Sequence, residues 1–165
     1  LRMMQVVDLR EITNHAQVGE WLVDLAEVLR PSDLAEIQAS CGGDPAEVLV
    51  TSVMLSDRAW IVLDDGDPVL VFGRAPTDNP QEHLAWLMGS PQMDAPAART
   101  FILRRCARYI REMQAGTARL WNLIDARNEV SMKWLEWLGF RVVEAHPDYG
   151  PERRLFYTFE RIARV

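Results

Sequence analysis

The sequence predicts an α/β domain on a mixed sheet, an α+β arrangement in the order β-α-α-α-β-β-β-α-β-α-β-β. Three observations carry it. Apolar residues recur at helical spacing as far as about Leu55, then give way to short apolar runs either side of a tight turn. That turn, Asp64-Asp65-Gly66-Asp67, contains the Asp-Gly pair favoured between antiparallel strands. Finally, a long helical pattern separates the apolar runs His83–Gly89 and Leu120–Ile124, a strand–helix–strand crossover that joins parallel strands and is almost always right-handed. Helices with one apolar face each then cover both sides of the sheet.

The elements follow in order. Met4 to Leu9 alternates as a first strand, and Val18, Trp21, Leu22, Leu25 and Leu29 mark an amphipathic helix behind Asn14, a suitable N-cap. Pro31-Ser32 opens a second helix that Gly42-Gly43 ends. Asp44-Pro45-Ala46-Glu47 reads as N-cap, N1 proline and a first-turn glutamate for a third, ending near Leu55. Ala59–Leu63 and Val69–Phe72 form the hairpin, and His83–Gly89 the next strand. Phe101, Ile102, Cys106, Tyr109, Ile110 and Met113 share one face of a long helix stopped by Gly116. Leu120–Ile124 is a strand. A helix with Val130, Trp134, Trp137 and Leu138 inward follows, with Gly139 at its end, and strands near Arg141–Ala145 and Leu155–Phe159 flank a turn over His146–Pro151.

With 165 residues, no repeat and no linker-like tract, the chain is expected to be a single domain, 1–165. Eighteen basic against twenty-four acidic residues give a formal charge of −6, which argues against nonspecific nucleic-acid binding. Uncharged runs such as Val48–Ser56 are far shorter than the ~20 residues of a membrane span. A soluble, cytoplasmic protein is expected. Cys41 and Cys106 need no oxidising compartment.

This element order, together with Asn128-Glu-Val-Ser131-Met-Lys-Trp134-Leu135-Glu-Trp-Leu138-Gly139-Phe140, resembles the GNAT family of acyl-CoA-dependent N-acetyltransferases. Within that superfamily, Leu120-Trp121-Asn122, the Asn128 to Gly139 segment, Leu155-Phe156, Leu29–Asp33, Ala59-Trp60 and Asp65–Pro68 look like the tailed-phage internal virion protein A group. The phage resemblance implies a protein acting in virion assembly or as an internal virion protein, located in the host cytoplasm or the virion. Other phage virion proteins would be its partners, with no nucleic acid and no membrane. The wider resemblance implies the alternative, an acetyl-CoA-dependent N-acyltransferase.

Two departures from the GNAT pattern favour a catalytically impaired protein. The family's pyrophosphate cradle is a glycine-containing loop at a helix N-terminus, where backbone N–H groups meet phosphate. Here the corresponding stretch is 89–99. Pro91 and Pro96 remove donors, and Asp94 is expected to cap the helix and compete with phosphate. The second departure is Leu135, which stands where many family members carry a tyrosine that protonates the departing thiolate. No catalytic residue is assigned, and Tyr109, Tyr149 and Tyr157 read first as packing residues.

If acetyl-CoA binds, the resemblance places backbone contacts to pantetheine at Leu87, Met88 and Gly89, phosphate at Arg99, and cofactor contacts at Asn128 and Ser131. Asn128 reads first as a helix N-cap. Arg99, Arg104, Arg105, Arg108 and Arg111 read as the solvated side of their helix, and Asn122 as a support of strand splay or a pocket residue. His15, His83 and His146 share no ligand spacing with the cysteines, so no metal is expected. Cys106 reads as a core thiol, and the acids around Gly66 as turn residues. The six tryptophans, Trp21, Trp60, Trp86, Trp121, Trp134 and Trp137, read as core.

Overall fold

The structure is a computed structural model and describes residues 2–164. Strand β1 (Met4–Asp8) leads through a 3-10 turn to helices α1 (His15–Glu27), α2 (Pro31–Ser40) and α3 (Pro45–Leu55). Strands β2 (Arg58–Asp64), β3 (Asp67–Pro76) and β4 (Glu82–Gly89) follow, then helix α4 (Pro96–Gln114) and strand β5 (Arg119–Asp125). Helix α5 (Glu129–Trp137) and strands β6 (Arg141–Tyr149) and β7 (Arg154–Ile162) complete the chain. The seven strands lie in the order β1-β2-β3-β4-β5-β7-β6, antiparallel except where β4 meets β5. The predicted element order is the observed one.

Local chemistry sets the boundaries. Asn14 accepts from the Gln17 amide at 3.2 Å and Asp44 from the Glu47 amide at 3.1 Å, so each caps its helix as expected. Asp65 and Gly66 turn the β2–β3 hairpin with φ of 51° and 89°. One face of the sheet packs Leu22, Leu25, Ile37, Leu49, Ile61 and Val71 under α1, α2 and α3. The other packs Trp60, Met113, Leu120, Ile124 and Phe159 under α4 and α5. Trp60, Phe72 and Tyr109 form an aromatic cluster there, with ring centroids 5.3 to 5.5 Å apart.

Three expectations need correction. On α5, Val130 is 74% and Trp137 62% exposed, so neither faces the core. The inward stripe is Ser131, Met132, Trp134, Leu135 and Leu138, of which Met132, Leu135 and Leu138 pack against the core on that face of the sheet. Second, His146 to Tyr149 belongs to β6 rather than to a turn. Pro147 is tolerated there because β6 is an edge strand with an irregular register between His146 and Tyr149. Third, Asp94 does not cap α4. It ends a 3-10 turn, Pro91–Asp94, and the N-cap of α4 is Ala95, without a side-chain hydrogen bond.

Gly150 (φ 72°) brings the β6–β7 hairpin against the end of α2. A Cβ there would lie 1.9 Å from the Ala39 carbonyl oxygen. Among the described residues, no helix is long and apolar enough to cross a membrane.

Candidate functional site

The site begins as a parting in the sheet. β4 and β5 pair only at Glu82↔Arg119, His83↔Leu120 and Leu84↔Trp121, and then diverge. Asn122 spans the start of the gap. Its Nδ2 donates to the Ala85 carbonyl at 2.9 Å, and its Oδ1 accepts from the Leu123 amide at 2.7 Å. An asparagine is poorly suited to a continuous strand ladder, but here it supplies the hydrogen bonds that the parted ladder no longer makes.

The edge of β4 that faces the gap follows from strand alternation. The Ser90 amide reaches back to the Val69 carbonyl of β3, whereas the Gly89 amide and carbonyl point away from β3, to Asp33 and Arg30. Ala85, Leu87 and Gly89 therefore turn their backbone groups toward the gap. Ala85 gives its carbonyl to Asn122, and Gly89 is engaged at both ends. Leu87 lies past the last paired residue, so its N–H and C=O face the opening without a strand partner.

At the far end of β4, Asp33 accepts from Arg30 Nε at 3.0 Å, from Arg30 Nη2 at 3.1 Å and from the Gly89 amide at 2.9 Å. The Arg30 amide donates to the Gly89 carbonyl at 2.8 Å. This buried fork fixes the start of α2 to the end of β4.

A cavity of about 440 Å³ runs through the parting. From the α2 side it is lined by Asp33, Glu36 and Ser40, from β4 by Trp86, Leu87 and Met88, and from α4 and α5 by Phe101, Ile102, Tyr109 and Leu135. A mostly apolar cleft with a few convergent polar groups is the usual form of a small-molecule site.

Glu36 is the most perturbed of these groups. Burial, reinforced by the nearby Asp33 and Asp125 charges, pushes its carboxyl up to about 7. Its Oε1 accepts from the Asp125 amide at 2.8 Å, which orients the carboxyl across the gap from β4. A carboxylate poised near neutrality in a cleft can take a proton from an attacking nucleophile. Tyr109 and Cys106 also line the cleft. Burial raises both, so each keeps its proton at neutral pH, and Cys106 further donates to the Leu103 carbonyl at 3.2 Å.

Of the residues proposed from sequence, Leu87, Met88, Asn128 and Ser131 line the cleft, and Gly89 and Arg99 do not. Gly89 is held by the Arg30–Asp33 fork, and Arg99 is exposed on the first turn of α4. Asn128 accepts from the Ser131 amide at 3.4 Å, so it caps α5 while bordering the cleft. Leu135 lines the cleft and supplies no proton. His83 lies 3.4 Å from Asp57, and His146 contacts Thr158 at 2.7 Å, well apart in the fold. Sequence reasoning missed Glu36. Its signal was present: Asp33, Glu36, Ile37 and Ser40 recur at the spacing of one helical face that also carries a core isoleucine.

The cleft is lined mostly by apolar side chains, with Asp33, Glu36, Ser40 and Asn122 as its polar groups. The segment ahead of α4 does not suit a diphosphate. It holds no glycine between Ser90 and Arg99, and Pro91 and Pro96 lack N–H groups. The amides of Met93 and Ala95 are spent on Ser90 and Gln92 carbonyls. In the first turn of α4, Ala98 is buried and the Arg99 amide already bonds the Ala95 carbonyl at 2.8 Å, which leaves the exposed Ala97 to present an amide.

No family model matches the sequence, and no curated protein does. Solved structures match over nearly the whole chain. An acetyltransferase of the GNAT family from Streptococcus pneumoniae has 12% identity and a TM-score of 0.61, covering 99% of this chain and 100% of its own. The ribosomal-protein alanine N-acetyltransferase of Escherichia coli has 11% identity and a TM-score of 0.65, covering 99% and 96%. A Bacillus subtilis acetyltransferase solved in complex with CoA has 11% identity and a TM-score of 0.61, covering 98% and 100%. The internal virion protein A resemblance finds no support in these comparisons. The chain has the GNAT acetyltransferase fold.

Proposed function

We propose that this protein is an N-acyltransferase that moves an acyl group from a pantetheine thioester, acetyl-CoA being the simplest, to an amine entering from the α2 side. One observation carries the reading: a strand edge with an unpaired Leu87 amide faces a cleft whose opposite wall holds a carboxyl raised to about 7. The Leu87 N–H would donate to the thioester carbonyl oxygen as charge gathers on it, and a preorganised donor of this kind is worth ~10²–10³ in kcat. Glu36 would take the proton of the attacking amine. Asn122 holds the two strands at the separation that admits the donor arm. The fold neighbours include enzymes named as N-acetyltransferases, which favours this reading over the virion-assembly role.

The test is thiol release from acetyl-CoA across a panel of primary amines. Leu87→Pro removes the gap-facing N–H while leaving the bonds that Trp86 and Met88 make to β3. The wild type should exceed the uncatalysed rate, and a Leu87→Pro variant with unchanged circular dichroism should lose about 10²–10³ in kcat. Equal turnover by the two proteins would exclude the Leu87 role, and no turnover with any amine would exclude the activity.

A further inference from the structure

We infer that the preferred acyl donor is protein-borne: a thioester on the phosphopantetheine arm of an acidic carrier protein that docks on the exposed face of α4. This deepens the proposed N-acyl transfer and rests on it. The cleft accepts an arm, yet the 3-10 turn before α4 is closed to a diphosphate. Ser90 Oγ and its amide both bond the Val69 carbonyl, and Gln92 Nε2 donates to Asp64 at 2.7 Å. Met93 is buried against Gly89, where a Cβ would lie 2.5 Å from its sulfur. Ala98 is buried, so of the first-turn residues of α4 only the exposed Ala97 presents an amide there, too little to hold the two phosphates of CoA.

Charge supplies the second argument. α4 carries five arginines against one glutamate, on a chain whose formal charge is −6. Arg99, Arg104, Arg105, Arg108 and Arg111 are all exposed, with the exposed Leu103 among them. Arg108 alone of the five has a carboxylate partner among the described residues, Glu112 at 2.9 Å. Arg105 stacks 3.7 Å over the Phe101 ring, and both residues line the cleft, so the basic face runs to its mouth. Such a face steers an acidic surface into contact.

In the transfer, the amine nitrogen attacks the thioester carbonyl carbon, the C–N bond forms and the C–S bond breaks. The amine proton goes to Glu36. The carrier's pantetheine thiolate leaves with the electron pair of the C–S bond and takes a proton from water.

Two measurements on the full chain test this. Fluorescence polarisation of a labelled holo-acyl carrier protein reads docking without catalysis. Binding should weaken at least tenfold in Arg104→Glu/Arg108→Glu and in 0.5 M salt, as screened surface charges require. Failure to bind, binding that ignores the double substitution, or equally tight binding of a single-stranded oligonucleotide would overturn the inference. Second, kcat/KM is compared for acetyl-CoA, acetyl-phosphopantetheine and acetylated carrier protein with one amine. The carrier should exceed both small donors at least tenfold, and the double variant should erase only that excess. Acetyl-CoA exceeding acetyl-phosphopantetheine tenfold would overturn the inference while upholding acyl transfer. Carrier binding without transfer from any donor would uphold the docking face and remove the transferase reading.

Discussion

Replacing Glu36 with glutamine should produce a protein that is more stable in mild alkali and less active. In the folded chain the carboxyl ionises near 7, against an ordinary value of 4.5, because it leaves water and sits near Asp33 and Asp125. The folded state therefore holds this proton more tightly than the unfolded chain does. Its stability falls as pH rises from about 4.5 and levels off above about 7. A rise of that size corresponds to a ceiling of about 3 kcal/mol, at ~1.4 kcal/mol per tenfold change. The substituted amide can still accept from the Asp125 N–H through its carbonyl and carries no charge to desolvate. Thermal melts of wild type and Glu36→Gln at pH 8 should differ in favour of the variant, by ~2–4 °C for each kcal/mol in a chain of this length. At pH 4.5 the gain should largely vanish. The wild-type kcat/KM should rise through pH 7 and then flatten, and the variant should lose most of its turnover without that rise. A variant less stable than wild type at pH 8, or one as active with the same pH profile, would refute the reasoning.

Three further substitutions probe the frame of the cleft and the hairpin turns. Asn122→Ala deletes the donor to Ala85 and the acceptor for Leu123, and should lower stability by about 1–3 kcal/mol in urea unfolding. A change below about 0.3 kcal/mol would mean that the bridge contributes nothing. Gly150→Ala drives a methyl into the Ala39 carbonyl at positive φ and should cost about 2–4 kcal/mol, from the left-handed conformation and the overpacking together. Gly66→Ala, with φ of 89° and open space around it, should cost only the conformational part, about 1 kcal/mol. Equal melting shifts for the two glycine variants would dismiss the α2 contact.

The fold was legible because its signals are local. The Asn14 and Asp44 caps, the Asp65-Gly66 turn and the change of apolar period are each contained within a few residues. The α5 face was misread because Val130 and Trp137 are as apolar as the residues that do pack, and spacing alone does not say which of two adjacent stripes meets the sheet. The site was legible in half. Asn128 and Ser131 lie on a recognisable helix start, and Leu87 and Met88 on a recognisable strand. The freedom of the Leu87 amide depends on where β4 leaves β5, and the perturbation of Glu36 on its packing near Asp125, far away in sequence. Neither is written in a local pattern. Asp94 failed as a cap because Pro91 begins a 3-10 turn that ends at Asp94 and leaves Ala95 as the N-cap of α4.

A seven-stranded sheet whose middle is fastened by three residue pairs and the Asn122–Ala85 bond beside them is mechanically two rafts moored at one end. Because the mooring lies at Glu82–Leu84 and the Arg30–Asp33 fork grips the free tip of β4, sideways sliding is checked at both extremities, leaving a change of angle as the easiest distortion. Whatever lodges between the rafts thus acts as a wedge whose thickness every helix resting on them can feel.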